Sequence, residues 1–178
     1  QADKYEVPRM AFINKMDRVG SDFYGVVEQI KDKLKANAVP IQIPIGSEDS
    51  FRGVIDLIEN KAVVWYDDDD TFGTNYSLEE IPEEYKAEAE EWRGKLIESV
   101  AEHDDELLER YFEDPDSITK EQMLAVIREA TIKMTIFPVL CGSAFKNKGV
   151  QRLLDAVVSF FPSPLEKGAI QGIHPDTQ

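Results

Sequence analysis

Cysteine occurs once in this sequence, at Cys141, and histidine twice, at His103 and His174. A single thiol excludes an internal disulfide and any cysteine-cluster metal site, and it fits a reducing, cytoplasmic compartment. Neither histidine has the neighbours that a catalytic imidazole needs, since His103 falls on the apolar stripe of an expected helix and His174 lies in the tail. No apolar run approaches the roughly 18 residues that span a bilayer, and the amino end, Gln1-Ala2-Asp3-Lys4, has no hydrophobic signal region. A membrane or secreted protein is therefore not expected. A G-x-x-x-x-G-K-[ST] loop, which would cradle phosphates, is also missing.

Positive charge is scarce, with 20 Lys and Arg against 35 Asp and Glu and a net charge of −15. Residues 79 to 114 alone hold 15 acids and 4 bases, and Asp67 to Asp70 add four more acids. The rest is balanced, so the chain reads as a neutral body with one acidic arm. Phosphate backbones are bound by clustered Lys and Arg, which excludes direct nucleic-acid binding by that arm; a basic protein surface is the expected partner. What remains is ordinary for a globular chain: 178 residues with 42% hydrophobic content suffice for one domain or two small ones.

Met10-Ala11-Phe12-Ile13 is apolar without alternation, as in a parallel strand buried on both faces. A one-faced helix follows, capped by Ser21, with Phe23, Val27, Ile30 and Leu34 inward and Asn37 and Pro40 as its stop. The same grammar returns at Ile136 to Leu140, a strand weakened by Pro138, and in a helix marked by Val150, Leu153, Leu154, Val157 and Phe161 that Pro162 closes. The hundred or so residues between these two βα units exceed any simple crossover and must fold as a unit of their own. Its first part is β-rich, in the runs 41–45, 51–57 and 62–66, with a hairpin turning at Glu59-Asn60-Lys61. Its second part is helical, with Tyr85, Ala89, Trp92, Leu96, Val100, His103, Leu107 and Tyr111 on one stripe. Thr119 with Gln122 forms a capping box for a last helix with Leu124, Ile127, Thr131 and Met134 inward.

Asn14-Lys15-Met16-Asp17 has the N-K-x-D form that reads guanine, and it sits at the carboxyl end of a buried strand, where open α/β sheets place their ligands. The Asp17 carboxylate can accept from both guanine N1–H and the exocyclic amine, a pair of donors that adenine does not offer. Asn14 can address N7 or tie neighbouring loops together, and the methylene stem of Lys15 can lie over the base. At the end of the second strand, Ser143-Ala144 resembles the S-A motif that completes such a site; Ala144 leaves room for its backbone N–H to approach guanine O6, and Ser143 can brace the loop. Three further features are expected to be structural. Asp67 to Asp70 lacks an oxygen ligand where Phe72 stands, which argues against Ca²⁺. Trp65 and Trp92, with no Lys or Arg cluster beside them, are expected to anchor the core, and Cys141 to be a small buried residue.

The runs Phe12 to Arg18, Val39 to Gly46, Gly53 to Leu57 and Cys141 to Gln151, with Leu154 to Val157 leading into Phe161 to Leu165, resemble the bacterial translation elongation factor G family over nearly the whole chain. The resemblance implies an α/β fold, the C-terminal half of a P-loop-GTPase-like parallel sheet interrupted by an inserted α+β subdomain with an antiparallel hairpin and acidic helices. Residues 1–37 and 136–163 would be the guanine-binding half, 38–135 the insert called G-prime, and 164–178 a linker toward a next domain. GTP or GDP would be held from the base side only, by Asn14, Lys15, Asp17, Ser143 and Ala144. The phosphate loop and switch regions would lie before Gln1, so no catalytic residue and no ligand for the Mg²⁺ of the whole protein is expected here. The whole protein would be a monomeric, cytoplasmic GTPase that drives tRNA and mRNA movement on the ribosome. Its stalk-protein partner would be recruited through Glu88, Glu91, Glu98 and Glu102. The alternatives are a related GTPase of the peptide-release class and a non-enzymatic acidic interaction domain.

Overall fold

A computed structural model describes residues 2–66 and 73–166. Among the described residues, seven strands form two sheets and five α-helices accompany them. β1 (Ala11–Ile13), β2 (Ala38–Pro40) and β7 (Phe137–Cys141) make a parallel sheet in the order β1-β7-β2. β3 (Gln42–Ile45), β4 (Gly53–Asp56), β5 (Lys61–Trp65) and β6 (Tyr76–Glu79) make an antiparallel meander in sequence order. The helices are α1 (Phe23–Leu34), α2 (Glu83–Ala101), α3 (Asp105–Glu113), α4 (Lys120–Ile132) and α5 (Val150–Phe160). This is the expected α/β architecture, a parallel sheet interrupted by an α+β insert. The expected hairpin is enlarged to four strands.

β7 is the central strand of the parallel sheet, and Val139, Leu140 and Cys141 are fully buried there. Pro138 is tolerated because of where its missing donor would point. Gly142 N–H bonds the Ile13 carbonyl; stepping back two residues at a time along a parallel ladder, the nitrogen of residue 138 faces Arg9, which precedes β1. Residues 38–40, expected to open the insert, instead form the third strand of this sheet. The two sheets join at Ile41, whose N–H bonds the Val139 carbonyl of the body at 3.0 Å while its carbonyl accepts from Leu57 N–H of the insert at 3.1 Å. One buried hydrophobic cluster runs through both parts.

Several local expectations are revised. Asp22, not Ser21, caps α1 by accepting from Gly25 N–H at 2.9 Å, and Lys35 in left-handed backbone ends it before Asn37. Leu34, the last residue of α1, is exposed rather than inward. The long helical stripe breaks after Ala101: His103 lies exposed in a turn, and Asp104 caps a new helix by accepting from Leu107 N–H. The Thr119–Gln122 capping box opens α4 as expected. The face of α4 that packs inward comprises Met123, Val126, Ile127, Ala130 and Thr131, leaving Leu124 half-buried and Met134 beyond the helix in left-handed backbone. On α5 the buried residues are Ala156 and Phe160, whereas Leu154 and Val158 are exposed. Trp65 is buried, and Trp92 is half-buried and stacked on Tyr24 at 5.3 Å. Asp67 to Asp70, His174 and the tail beyond Glu166 lie outside the described residues.

Candidate functional site

Because β1 and β7 are parallel neighbours, the loops that leave their carboxyl ends emerge side by side, although they are separated by about 130 residues in sequence. Backbone bonds zip their first residues together: Gly142 N–H donates to Ile13 carbonyl at 3.0 Å, and Met16 N–H donates to Gly142 carbonyl at 3.1 Å. Gly142 has no room for a side chain, since a Cβ would lie 2.3 Å from the Lys148 carbonyl oxygen and 2.7 Å from the Phe12 ring. Met16, buried beneath the loop, fills the space between it and the sheet.

Asn14 bridges the two loops. Its Oδ1 accepts the N–H of Ala144 at 2.9 Å and that of Lys15 at 2.8 Å. Of the two roles open to this amide, tying the loops together is the one observed. The Ala144 N–H, expected to face a base, is directed at Asn14 instead, because that oxygen is the nearest strong acceptor. Lys15 stands in left-handed backbone at φ +65° with its side chain exposed.

Ser143 is buried and held by two reciprocal backbone bonds to Lys148, each 2.9 Å, which close the 143–148 turn ahead of α5. The Ser143 hydroxyl is the main reason that the Asp17 carboxyl beside it is held below the usual carboxylate range; Lys146 and Arg18 add to the effect. The Asp17 carboxylate, an acceptor only when ionised, lies at the accessible rim of the paired loops. Asn14, Lys15, Asp17, Ser143 and Ala144 converge on one edge of the sheet. Gly142 and Met16, which sequence reasoning passed over, hold them there. For Gly142 the signal was available in a glycine directly at a strand end.

The four glutamates on and beside α2 are not equivalent. Glu98 and Glu102 are exposed, and Glu91 is exposed and pairs with Lys95 at 2.5 Å. Glu88 is half-buried and accepts from the Tyr24 hydroxyl on α1 at 2.5 Å. Burial and this carboxylate push the Tyr24 phenol up. Among the described residues, no group of three or more His, Cys, Asp or Glu could hold a metal ion, and no helix is long and apolar enough to cross a membrane.

Residues 1–163 match the family model of the elongation factor Tu GTP binding domain. The chain is 58% identical over 178 residues to elongation factor G of Amoebophilus asiaticus (strain 5a2), a match covering 100% of this chain and 25% of that protein. Among solved structures, a crystal structure from Thermus thermophilus superposes with a TM-score of 0.78 at 28% identity, over 93% of this chain and 24% of that one. The chain thus spans a quarter of the length of the curated relative it matches.

Proposed function

Since this chain belongs to the family of elongation factor Tu GTP-binding domains, we propose that it is the guanine-recognising half of the GTPase domain of a G-type translation elongation factor. The observation that carries the reading is the meeting of two loops at the carboxyl ends of the parallel neighbours β1 and β7, tied together by the Ala144 N–H bond to Asn14, with the Asp17 carboxylate at their rim. A carboxylate so placed accepts from guanine N1–H and the exocyclic amine together, and it disfavours adenine, which offers no such pair of donors and would leave the carboxylate unpaired beneath the bound base. Lys15 covers the base plane with its methylene stem, Asn14 locks the two loops, and the small side chain of Ala144 leaves the base edge accessible.

Residues 1–40 and 136–163 form this half, and the insert runs from Ile41 to residue 135. Binding of GTP and GDP through the phosphates, the Mg²⁺ and the hydrolytic step belong to parts of the whole protein outside this chain. There, hydrolysis would drive tRNA and mRNA movement on the ribosome in the cytoplasm, with the factor acting as a monomer. The exposed glutamates Glu91, Glu98 and Glu102 offer a docking face to a basic surface of the ribosomal stalk protein; Glu88 contributes from the edge while bonded to Tyr24. The relative's identity over the full chain favours this reading over a release-class GTPase.

The test is Asp17→Asn in the full-length protein. An amide donates to xanthine O2 where the carboxylate accepted from the guanine amine, so preference should pass from GTP to xanthosine triphosphate, with GTP affinity falling at least about a hundredfold, some 2.7 kcal/mol. Competition between the two nucleotides measures it. Undiminished preference for GTP would remove Asp17 as the base reader.

A further inference from the structure

The insert reaches the guanine-reading loop through the connection between β3 and β4. This connection turns at Gly46, in left-handed backbone at φ +76°, where a Cβ would lie 2.2 Å from the Ser50 carbonyl oxygen. Ser47 and Ser50 then close a reciprocal capping box. Between them Glu48 is itself left-handed, at φ +55°, a conformation costing a non-glycine residue about 1 kcal/mol. Such a residue persists where its surroundings require its side chain.

What Glu48 does is bracket the segment that contains Asp17. Its N–H donates to the Met16 carbonyl at 2.8 Å, and its carboxylate accepts the Gly20 N–H at 2.7 Å. The Ser21 hydroxyl donates to the same Met16 carbonyl at 2.9 Å. That carbonyl belongs to the peptide plane joining Met16 to Asp17, and the Met16 N–H is already bonded to Gly142. The Met16 end of the segment is thus held by main-chain bonds and its Gly20 end by the Glu48 carboxylate, so the backbone of Asp17 is fixed from both sides. Glu48 is in turn anchored to the insert, because the Tyr85 hydroxyl on α2 accepts the neighbouring Gly46 N–H at 3.0 Å.

We propose that Glu48 is a positioning residue for guanine recognition, by which the insert holds the Asp17 carboxylate opposite the base without touching the nucleotide. The proposal rests on the reading of Asp17 as the base reader. It makes base selectivity, rather than nucleotide affinity in general, the property that depends on the insert.

The experiment compares Glu48→Gly, Glu48→Ala and Glu48→Gln in the full-length protein by equilibrium binding of GDP and of inosine diphosphate, whose base lacks the exocyclic amine, with thermal unfolding alongside. Glu48→Gly is the informative variant, because it removes the carboxylate while relieving the backbone, and its stability should match wild type. It should weaken GDP about fivefold, the equivalent of one hydrogen bond at ~1 kcal/mol, and inosine diphosphate less than about twofold. Glu48→Gln keeps an acceptor for Gly20 N–H and should stay within about twofold of wild type for both. Glu48→Ala should lose selectivity like glycine and stability in addition. Equal weakening of both nucleotides by Glu48→Gly, or none, overturns the proposal. Asp17→Asn measured in parallel separates the two claims: if it switches to xanthine while Glu48→Gly leaves selectivity intact, only the role of Glu48 fails, whereas retained guanine preference in Asp17→Asn overturns both.

Discussion

Ser143 shows how a single hydroxyl can set the properties of a residue 126 positions away. It is buried, its backbone is held by Lys148, its Oγ accepts the Lys146 N–H at 3.3 Å, and its hydroxyl is the main influence lowering the Asp17 carboxyl. Ser143→Ala removes the donor but not the turn, so the Asp17 carboxyl should rise toward its ordinary value. Because the folded-state carboxyl lies below the unfolded one, its contribution to stability is present above the ordinary carboxylate value and lost as pH falls through the folded value. The variant should therefore be slightly less stable at neutral pH, by an amount that solvent screening keeps small, and show a flatter acid limb. Carbon-13 titration of the Asp17 carboxyl, with denaturant unfolding at neutral and at acidic pH, measures both. An unshifted carboxyl would mean that Lys146 and Arg18 suffice. Cys141, immediately before this loop, is fully buried, and burial pushes its thiol up, so it acts as a small packing residue rather than a nucleophile.

Among the elements, the β4–β5 turn depends most on one side chain. Asp56, buried at the end of β4, accepts Ile58 N–H at 3.0 Å and Glu59 N–H at 2.9 Å with the same oxygen, and Asn60 completes the reversal in left-handed backbone at φ +54°. Burial pushes the Asp56 carboxyl up against the lowering effect of those bonds and of Arg152. With the folded value above the unfolded one, the favourable contribution is complete below the ordinary carboxylate value and is lost as pH rises through the folded value. Asp56→Asn keeps the acceptor and discards the buried charge, so it should be neutral or stabilising at neutral pH. Asp56→Ala leaves two N–H groups without their acceptor and should cost about 2 kcal/mol. Urea unfolding of the two variants distinguishes them; equal losses would show that the charge itself holds the turn. Between α4 and the end of α5 with the segment after it, Arg128 donates to the Ser159 and Phe161 carbonyls and to both oxygens of Glu166; the Ser163 N–H first, and then Arg128, hold that carboxyl at about 2.

For the whole molecule, the segregation of charge is the feature with a consequence for encounter rather than for folding. The acidic excess lies in the insert, where the exposed residues include Glu98 and Glu102, while the loops after β1 and β7 sit on the balanced body. A field of one sign accelerates association with a basic surface more than it tightens the complex, and it is screened beyond about 8 Å at physiological salt. Reversing Glu98 and Glu102 to lysine should slow association of the full-length protein with the ribosomal stalk about tenfold at low salt. The difference should shrink as salt rises, with nucleotide affinity unchanged. Stopped-flow mixing at two ionic strengths tests this, and equal rates at low salt would reduce the arm to a solvated surface. Glu88 is left out of the pair because Glu88→Lys would also break its bond to Tyr24 and disturb the α1–α2 contact.

Local chemistry was legible in the residues themselves. The two apolar strands, the N-K-x-D and S-A segments at their ends, the Thr119–Gln122 box and the position of the acidic arm all follow from side chains within a few positions of one another, where propensity, capping and periodicity operate. Periodicity reports that a face is buried but not against what, which is why Leu34 and Leu154, inward by their spacing, are exposed in the structure. It also counts through a break: His103 fits the stripe of α2, yet Asp104 caps a new helix, and a cap is decided by one local hydrogen bond. Sheet order is non-local, so only the tertiary structure could assign Ala38–Pro40 to β7 rather than to the insert. The same holds for the site. Asn14 meets Ala144, Ser143 meets Asp17 and Glu48 brackets Met16 to Gly20 only because a parallel sheet and an inserted meander bring together loops that are distant along the chain. The residue types that can read guanine were written in the sequence; their geometry was decided by the packing of β1, β7 and the insert, since hydrogen bonds act over about 3 Å in space whatever the separation along the chain.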